Sequence, residues 1–140
     1  FVGVIIDRHH KYEPLPGILE KASALAAASG SEITVTHDPF EAADQADVVY
    51  TDSWMSYHID PAEMEERVDR FMPYQVTGKL MEVTHPDSVF MNCLPAARGF
   101  EQTAEVIDGP KSVVFDQAEN RLHAQNAVML RLLASVEQDA

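Results

Sequence analysis

Short apolar runs, each closing on polar residues, alternate along this chain with stretches of helical periodicity. The apolar runs fall at 2–6, 32–36, 47–51, 88–92 and 112–115, and the helical stretches at 16–29, 38–46, 61–71, 77–84, 101–107 and 117–137. Such alternation predicts an α/β fold, a mostly parallel sheet joined by helical crossovers that cover it on both faces. The run at 47–51 is continuously apolar and is predicted to lie at the sheet's centre. Ligands of such sheets bind beyond the carboxyl ends of the strands, so those ends are searched first for chemistry. They carry Asp52 and Ser56, Asn92 and Cys93, and Glu119 and Arg121.

The punctuation supports these boundaries. Asp38-Pro-Phe-Glu41 and Asp60-Pro-Ala-Glu63 read as helix starts, with an aspartate cap, proline in the first turn and an acid three residues after the cap; Asp116-Gln-Ala-Glu119 lacks only the proline. Gly30 stands where a C-terminal cap is expected after 16–29, Thr77 caps another helix, and Pro73 is predicted to end the helix before it. Ile18, Leu19, Ala22, Leu25 and Ala26 share one face of the first helix. Leu122, Met129, Leu132, Leu133 and Val136 are predicted to be the buried side of the last.

The 140 residues suit one domain with a real core. A net charge of −13 argues against nucleic acid or an anionic membrane as partner. No apolar run approaches the ~20 residues of a bilayer span, no basic region with a cleavage site opens the chain, and a single cysteine excludes an internal disulfide. The expected location is cytoplasmic. His9 and His10 are adjacent in an extended polar stretch with no further ligand nearby, so no metal is expected. Dinucleotide, nucleotide and nucleophile-elbow motifs are absent, and no cofactor is expected.

The segments Asp47-Val-Val-Tyr-Thr-Asp-Ser-Trp54, Phe71-Met-Pro-Tyr-Gln-Val76, Met91-Asn-Cys-Leu-Pro-Ala96, Glu105-Val-Ile-Asp108 and Ala118-Glu-Asn-Arg121 together resemble the ornithine carbamoyltransferases, in that family's order and spacing. The match covers roughly residues 12–135 and concerns the C-terminal, ornithine-binding half of the family. It implies a three-layer Rossmann-like domain whose first strand is missing here, with residues 1–140 forming a single amino-acid-binding domain. The family's Ser-Thr-Arg-Thr phosphate loop and its carbamoyl-phosphate-binding domain are not in this sequence, which is therefore expected to be truncated, split or partial.

The implied reaction belongs to arginine metabolism. The δ-amine of ornithine attacks carbamoyl phosphate, giving citrulline and phosphate. That step needs a deprotonated amine, donors for the developing oxyanion and positive charge for the phosphate. By resemblance Asp52 binds the α-ammonium of ornithine, Ser56 and Tyr57 line the amino-acid site, and Cys93 sits beside the reacting amine. Asn92 borders the same site, and the Leu94 backbone and Arg121 contact carbamoyl phosphate. Cys93 and Arg121 are the catalytic candidates. Arg121 is expected in the first turn of a helix, where the helix's positive end assists an anion, and a thiol beside cations is expected to ionise more readily. Arg98 is either a second anion contact or an exposed loop residue. Trp54 and Tyr74 are expected to pack.

Two departures bear on the substrate. Asn92 stands where the family has histidine, replacing a ring that titrates near neutrality with a neutral amide, and Tyr57-His58 replaces Met-Gly. The acceptor is thus ornithine, a modified ornithine or a diamine such as putrescine. A non-catalytic amino-acid or diamine binding module stands as the alternative, and an inactive fragment as a third possibility. The isolated chain is expected to be inactive. A trimer is expected of the full-length family.

Overall fold

The computed structural model describes residues 2–5, 12–55 and 59–138, with side chains over 12–55 and 59–134. The His9–His10 pair, Ser56, Tyr57 and His58 lie outside the described residues, as does the Val136 side chain.

Strands and helices alternate as β1 (Val2–Ile5), α1 (Pro16–Ser29), β2 (Ile33–Thr36), α2 (Pro39–Ala43), β3 (Val48–Thr51), α3 (Met64–Phe71), α4 (Gly78–Met81), β4 (Val89–Asn92), α5 (Ala104–Ile107) and α6 (Val114–Gln138). Single 3-10 turns at Pro61–Glu63 and Met72–Tyr74 bracket α3, so the chain coils on through Pro73 instead of stopping there. The fold is α/β and Rossmann-like, with parallel strands flanked by helices.

The expected caps form at Asp38, Asp60 and Thr77, whereas Asp116 starts no helix because α6 has already begun at Val114. Asp38 accepts from the N–H groups of Phe40 and Glu41, Asp60 from that of Ala62, and Thr77 from that of Leu80, satisfying donors that a helix start leaves unpaired. Gly30 closes α1 at φ 73°, a left-handed conformation that costs glycine little.

The sheet is where expectation and structure part. Among the described residues the strands form two separate parallel ladders, β1 with β2 and β3 with β4. β3 is thus an edge of its ladder and not the middle of a sheet. Val48 and Tyr50 are 51% and 53% exposed, while Val49 between them is buried. The apolar run told only that the strand is sheltered; it could not tell on how many sides.

The run at 112–115 is not a strand. Ser112 makes one parallel bridge to Phe90, with the Phe90 N–H donating to Lys111 and the Val113 N–H donating to Phe90, and the backbone turns helical at Val114. A four-residue apolar run cannot by itself separate a buried strand from a buried helix start.

The core gathers on one side of β3 and β4, around Phe90, Leu80 and Val114, with Val49, Val76, Met81, Val106 and Ile107 against them. The apolar stripe of α6 is not in it: Leu122, Met129, Leu132 and Leu133 are all exposed. The first helix is covered only in part, with Ala26 buried but Ile18 and Leu25 exposed. The buried faces that periodicity predicts are thus borne out in part for α1 and not for α6, whose buried contact is at its start, Val114, because an apolar stripe is buried only where another surface covers it. No described helix is long and apolar enough to cross a membrane.

Candidate functional site

β3 and β4 run parallel in a register that sets Thr51 beside Asn92, so the next residues, Asp52 and Cys93, leave the ladder side by side. The Cys93 thiol donates to Asp52 Oδ1 at 2.9 Å, and the same oxygen accepts the Ser53 N–H at 2.6 Å. Successive side chains of a strand face opposite ways. Tyr50, Asp52 and Cys93 therefore share the open face, while Val49, Phe90 and Asn92 turn to the core.

The parity decides the role of Asn92. It is fully buried, donates from Nδ2 to Gln102 Oε1 at 3.2 Å and accepts the Leu94 N–H on Oδ1 at 2.7 Å. Its side chain is on the opposite face from Cys93, where it holds Leu94 in a left-handed conformation, φ 50°, uncommon for a residue other than glycine. With the Leu94 N–H taken, the backbone atom of Leu94 open to a ligand is its carbonyl oxygen. Asn92→Ala leaves buried partners on both sides unsatisfied and is expected to cost about 1–3 kcal/mol in urea unfolding. A loss below about 0.5 kcal/mol, within the range of surface substitutions, would show that the bonds carry no load.

A buried carboxylate that belongs to no motif ties the two strand-end loops together. Glu101 accepts the Trp54 N–H on Oε1 at 3.1 Å and the Ala97 N–H on Oε2 at 2.9 Å. Ser53 Oγ adds a second tie, donating to the Pro95 carbonyl at 2.6 Å, and Arg67 Nε donates to the Trp54 carbonyl at 2.7 Å. Trp54 packs as expected, against Phe71 and Phe100.

Along the open side of β3 runs a cavity of about 460 Å3, lined by Tyr50, Asp52, Ser53, Trp54, Arg67 and Phe71 among others. It thus carries a carboxylate and a guanidinium, the latter stacked over the Tyr12 and Phe71 rings at 5.2 Å. Cys93 does not line it and touches it through Asp52.

The thiol's environment reverses one expectation. Hydrogen bonding to Asp52 pushes the Cys93 thiol up from its ordinary pKa, with burial and the Asp52 charge acting in the same direction. Among the described residues no cation depresses it. Tyr50, whose phenol oxygen accepts from Gln117 Nε2 at 3.1 Å, acts the other way on the thiol. Neither Tyr50 nor Gln117 stood out in the sequence. The former read simply as part of an apolar strand, although its place two residues before Asp52 already put it on the same face.

Arg121 is placed differently from expectation, while Arg98 is the exposed loop residue that one of its two readings had it to be. Arg121 lies two turns into α6, which starts at Val114, so the positive end of that helix does not assist it. Its exposed side chain is not brought to Cys93 by any described contact. Arg98 is engaged: it binds Asp108 through two bonds of 2.8 and 2.7 Å, holding that carboxyl below the usual carboxylate range. Among the described residues no group of three or more His, Cys, Asp or Glu is placed to hold a metal.

Residues 2–132 match the Asp/Orn binding domain of aspartate/ornithine carbamoyltransferase. The chain belongs to the aspartate/ornithine carbamoyltransferase family. It is 58% identical over 125 residues to the ornithine carbamoyltransferase of Methanothermobacter thermautotrophicus, a match covering 89% of this chain and 41% of that protein. The ornithine transcarbamoylase of Giardia lamblia superimposes with a TM-score of 0.81 at 43% identity, over 91% of this chain and 40% of that one. The anabolic ornithine carbamoyltransferase of Campylobacter jejuni gives 0.87 at 32% identity, over 96% and 43%. The chain thus spans about two fifths of the length of the curated relatives it matches.

Proposed function

We propose that this chain supplies the amino-acid-binding part of an ornithine carbamoyltransferase, taking ornithine to citrulline with release of phosphate from carbamoyl phosphate. The observation that carries the reading is the meeting of Asp52 and Cys93 at the ends of adjacent parallel strands, beside a cavity of small-ligand size. Asp52 takes the α-ammonium of ornithine in place of the thiol proton it now accepts, and Ser56 and Tyr57 complete that pocket. The released Cys93 faces the δ-amine, and the Leu94 carbonyl oxygen accepts from the carbamoyl amide. Asn92 serves the site from behind by shaping Leu94.

Arg98 is committed to Asp108, so Arg121 is the arginine of this chain assigned to the phosphate, and it reaches that role only once a carbamoyl-phosphate-binding part is docked against α6. Residues 1–140 act as one unit in this scheme, within a trimer of complete subunits. The engaged Arg98 also favours a second reading, a module that binds an amino acid or diamine without turnover.

Calorimetry and reconstitution separate the two. Ornithine is expected to release heat on the isolated chain, and citrulline to form only after a carbamoyl-phosphate-binding part and the family's opening strand are added. Heat without citrulline leaves the binding module standing. No heat with ornithine or putrescine removes both readings.

A further inference from the structure

The cavity beside β3 is bipolar. Among the described residues that line it, Asp52 and Arg67 are the charged ones, one anion and one cation. Each is bonded elsewhere. Asp52 Oδ1 accepts from the Cys93 thiol and the Ser53 N–H, and Arg67 Nε donates to the Trp54 carbonyl at 2.7 Å. That bond and the rings of Tyr12 and Phe71, whose centroids are each 5.2 Å from the guanidinium carbon, hold the Arg67 charge in place. Much of the remaining wall is apolar, with Val49, Val76 and Leu80 in it. A fixed cation in such a wall is poorly screened, so it acts on whatever charge a ligand brings in.

Ornithine and putrescine differ in one group that such a cation senses. Both carry two ammonium groups, and ornithine adds a carboxylate. The chain's net charge of −13 attracts any cation and a doubly charged one most. A preference for the amino acid therefore has to be made locally, against the field of the chain as a whole.

We propose that Arg67 is the specificity-determining residue of this cavity: its charge selects a ligand that brings a carboxylate, an α-amino acid such as ornithine, over a diamine. On the reading of Asp52 as the ammonium site, on which this inference rests, Asp52 takes one ammonium of either ligand and does not tell them apart. Arg67 does, because only the amino acid offers it an anion. The attraction is between charges and needs no direct bond to the guanidinium.

The test is calorimetry on the 140-residue chain with ornithine, ornithinamide and putrescine, with circular dichroism to confirm folding of each variant. Ornithinamide keeps both amines and replaces the carboxylate with a neutral amide; at about pH 6.5 the amines of all three are charged. The wild-type chain is expected to bind ornithine about tenfold more tightly than either of the others. Arg67→Gln is expected to bring the three within about threefold of one another, and Arg67→Lys, which keeps the charge without the planar fork, to hold most of the preference. The ratio is the readout, because a variant that merely loosens the cavity weakens all three ligands together. An unchanged ratio in folded Arg67→Gln overturns the proposal, as does loss of the preference in folded Arg67→Lys. Equal affinity of the wild-type chain for ornithine and ornithinamide overturns it without any variant having to fold. Asp52→Asn reports separately on the ammonium site: all three ligands should be lost, and binding that persists removes that reading while the Arg67→Gln ratio still decides on Arg67. No heat with any of the three overturns both.

Discussion

Asp52→Asn is expected to raise the alkylation rate of Cys93 at neutral pH by about tenfold and to abolish ornithine binding. Both effects come from one oxygen. Asp52 Oδ1 accepts the Cys93 proton, and this bond, with burial and the carboxylate charge, holds the thiol's pKa above its ordinary value. The sign follows directly. A bond that needs the thiol proton is intact at and below the ordinary thiol pKa and is lost as pH rises through the higher value of the folded state. Removing the charge and weakening the acceptor lets the thiol ionise earlier, so alkylation gains at every pH below that point. The same substitution takes away the counter-charge proposed for the ammonium, and a neutral amide does not replace it. Alkylation profiles and calorimetry check the two halves. An Asp52→Asn chain that alkylates like wild type would mean that the thiol does not sense this carboxylate, and the site would have to be redrawn around another partner for Cys93.

The sequence was most informative where local chemistry decides. Aspartate and threonine caps, the glycine after α1 and the strand at 89–92 all follow from side chains acting within a few residues of themselves. The site's pairing of Asp52 with Cys93 was legible too, because both residues close an apolar run and parallel strands bring such closures together. What was hidden depends on distant contacts. Asn92 read as a residue bordering the site until the register placed its side chain on Phe90's side of the ladder, facing the core and away from Cys93. Glu101 carries no motif; its importance lies in two backbone donors, 47 and 4 residues away in sequence. The α6 stripe shows the limit most plainly. The pattern of Leu122, Met129 and Leu133 is correct for burial, yet burial requires a surface that the described residues do not provide. The open edge of β3 is the same lesson in a strand.

That a buried carboxylate, with no substrate role assigned, governs the site is the second large expectation. Glu101→Ala is expected to destabilise the chain by about 2–4 kcal/mol, since the buried Trp54 N–H and the part-buried Ala97 N–H each lose their acceptor. That is a substantial share of the roughly 5–15 kcal/mol that holds a domain of this size together. Glu101→Gln keeps one acceptor but turns an amide donor toward another donor, so its cost should fall between wild type and alanine. Urea unfolding at unchanged m-value measures both. The functional consequence is directional as well: among the described residues the loop bearing Asp52 and the loop after Cys93 are tied by Glu101 and Ser53, beside the Asp52–Cys93 bond itself. If Glu101→Ala unfolds at the wild-type urea concentration, the carboxylate is not a tie. If it is destabilised and the surviving folded chain alkylates Cys93 faster, the strain is felt at the Asp52–Cys93 bond, and the stability of the fold and the poise of the thiol are set by the same buried group.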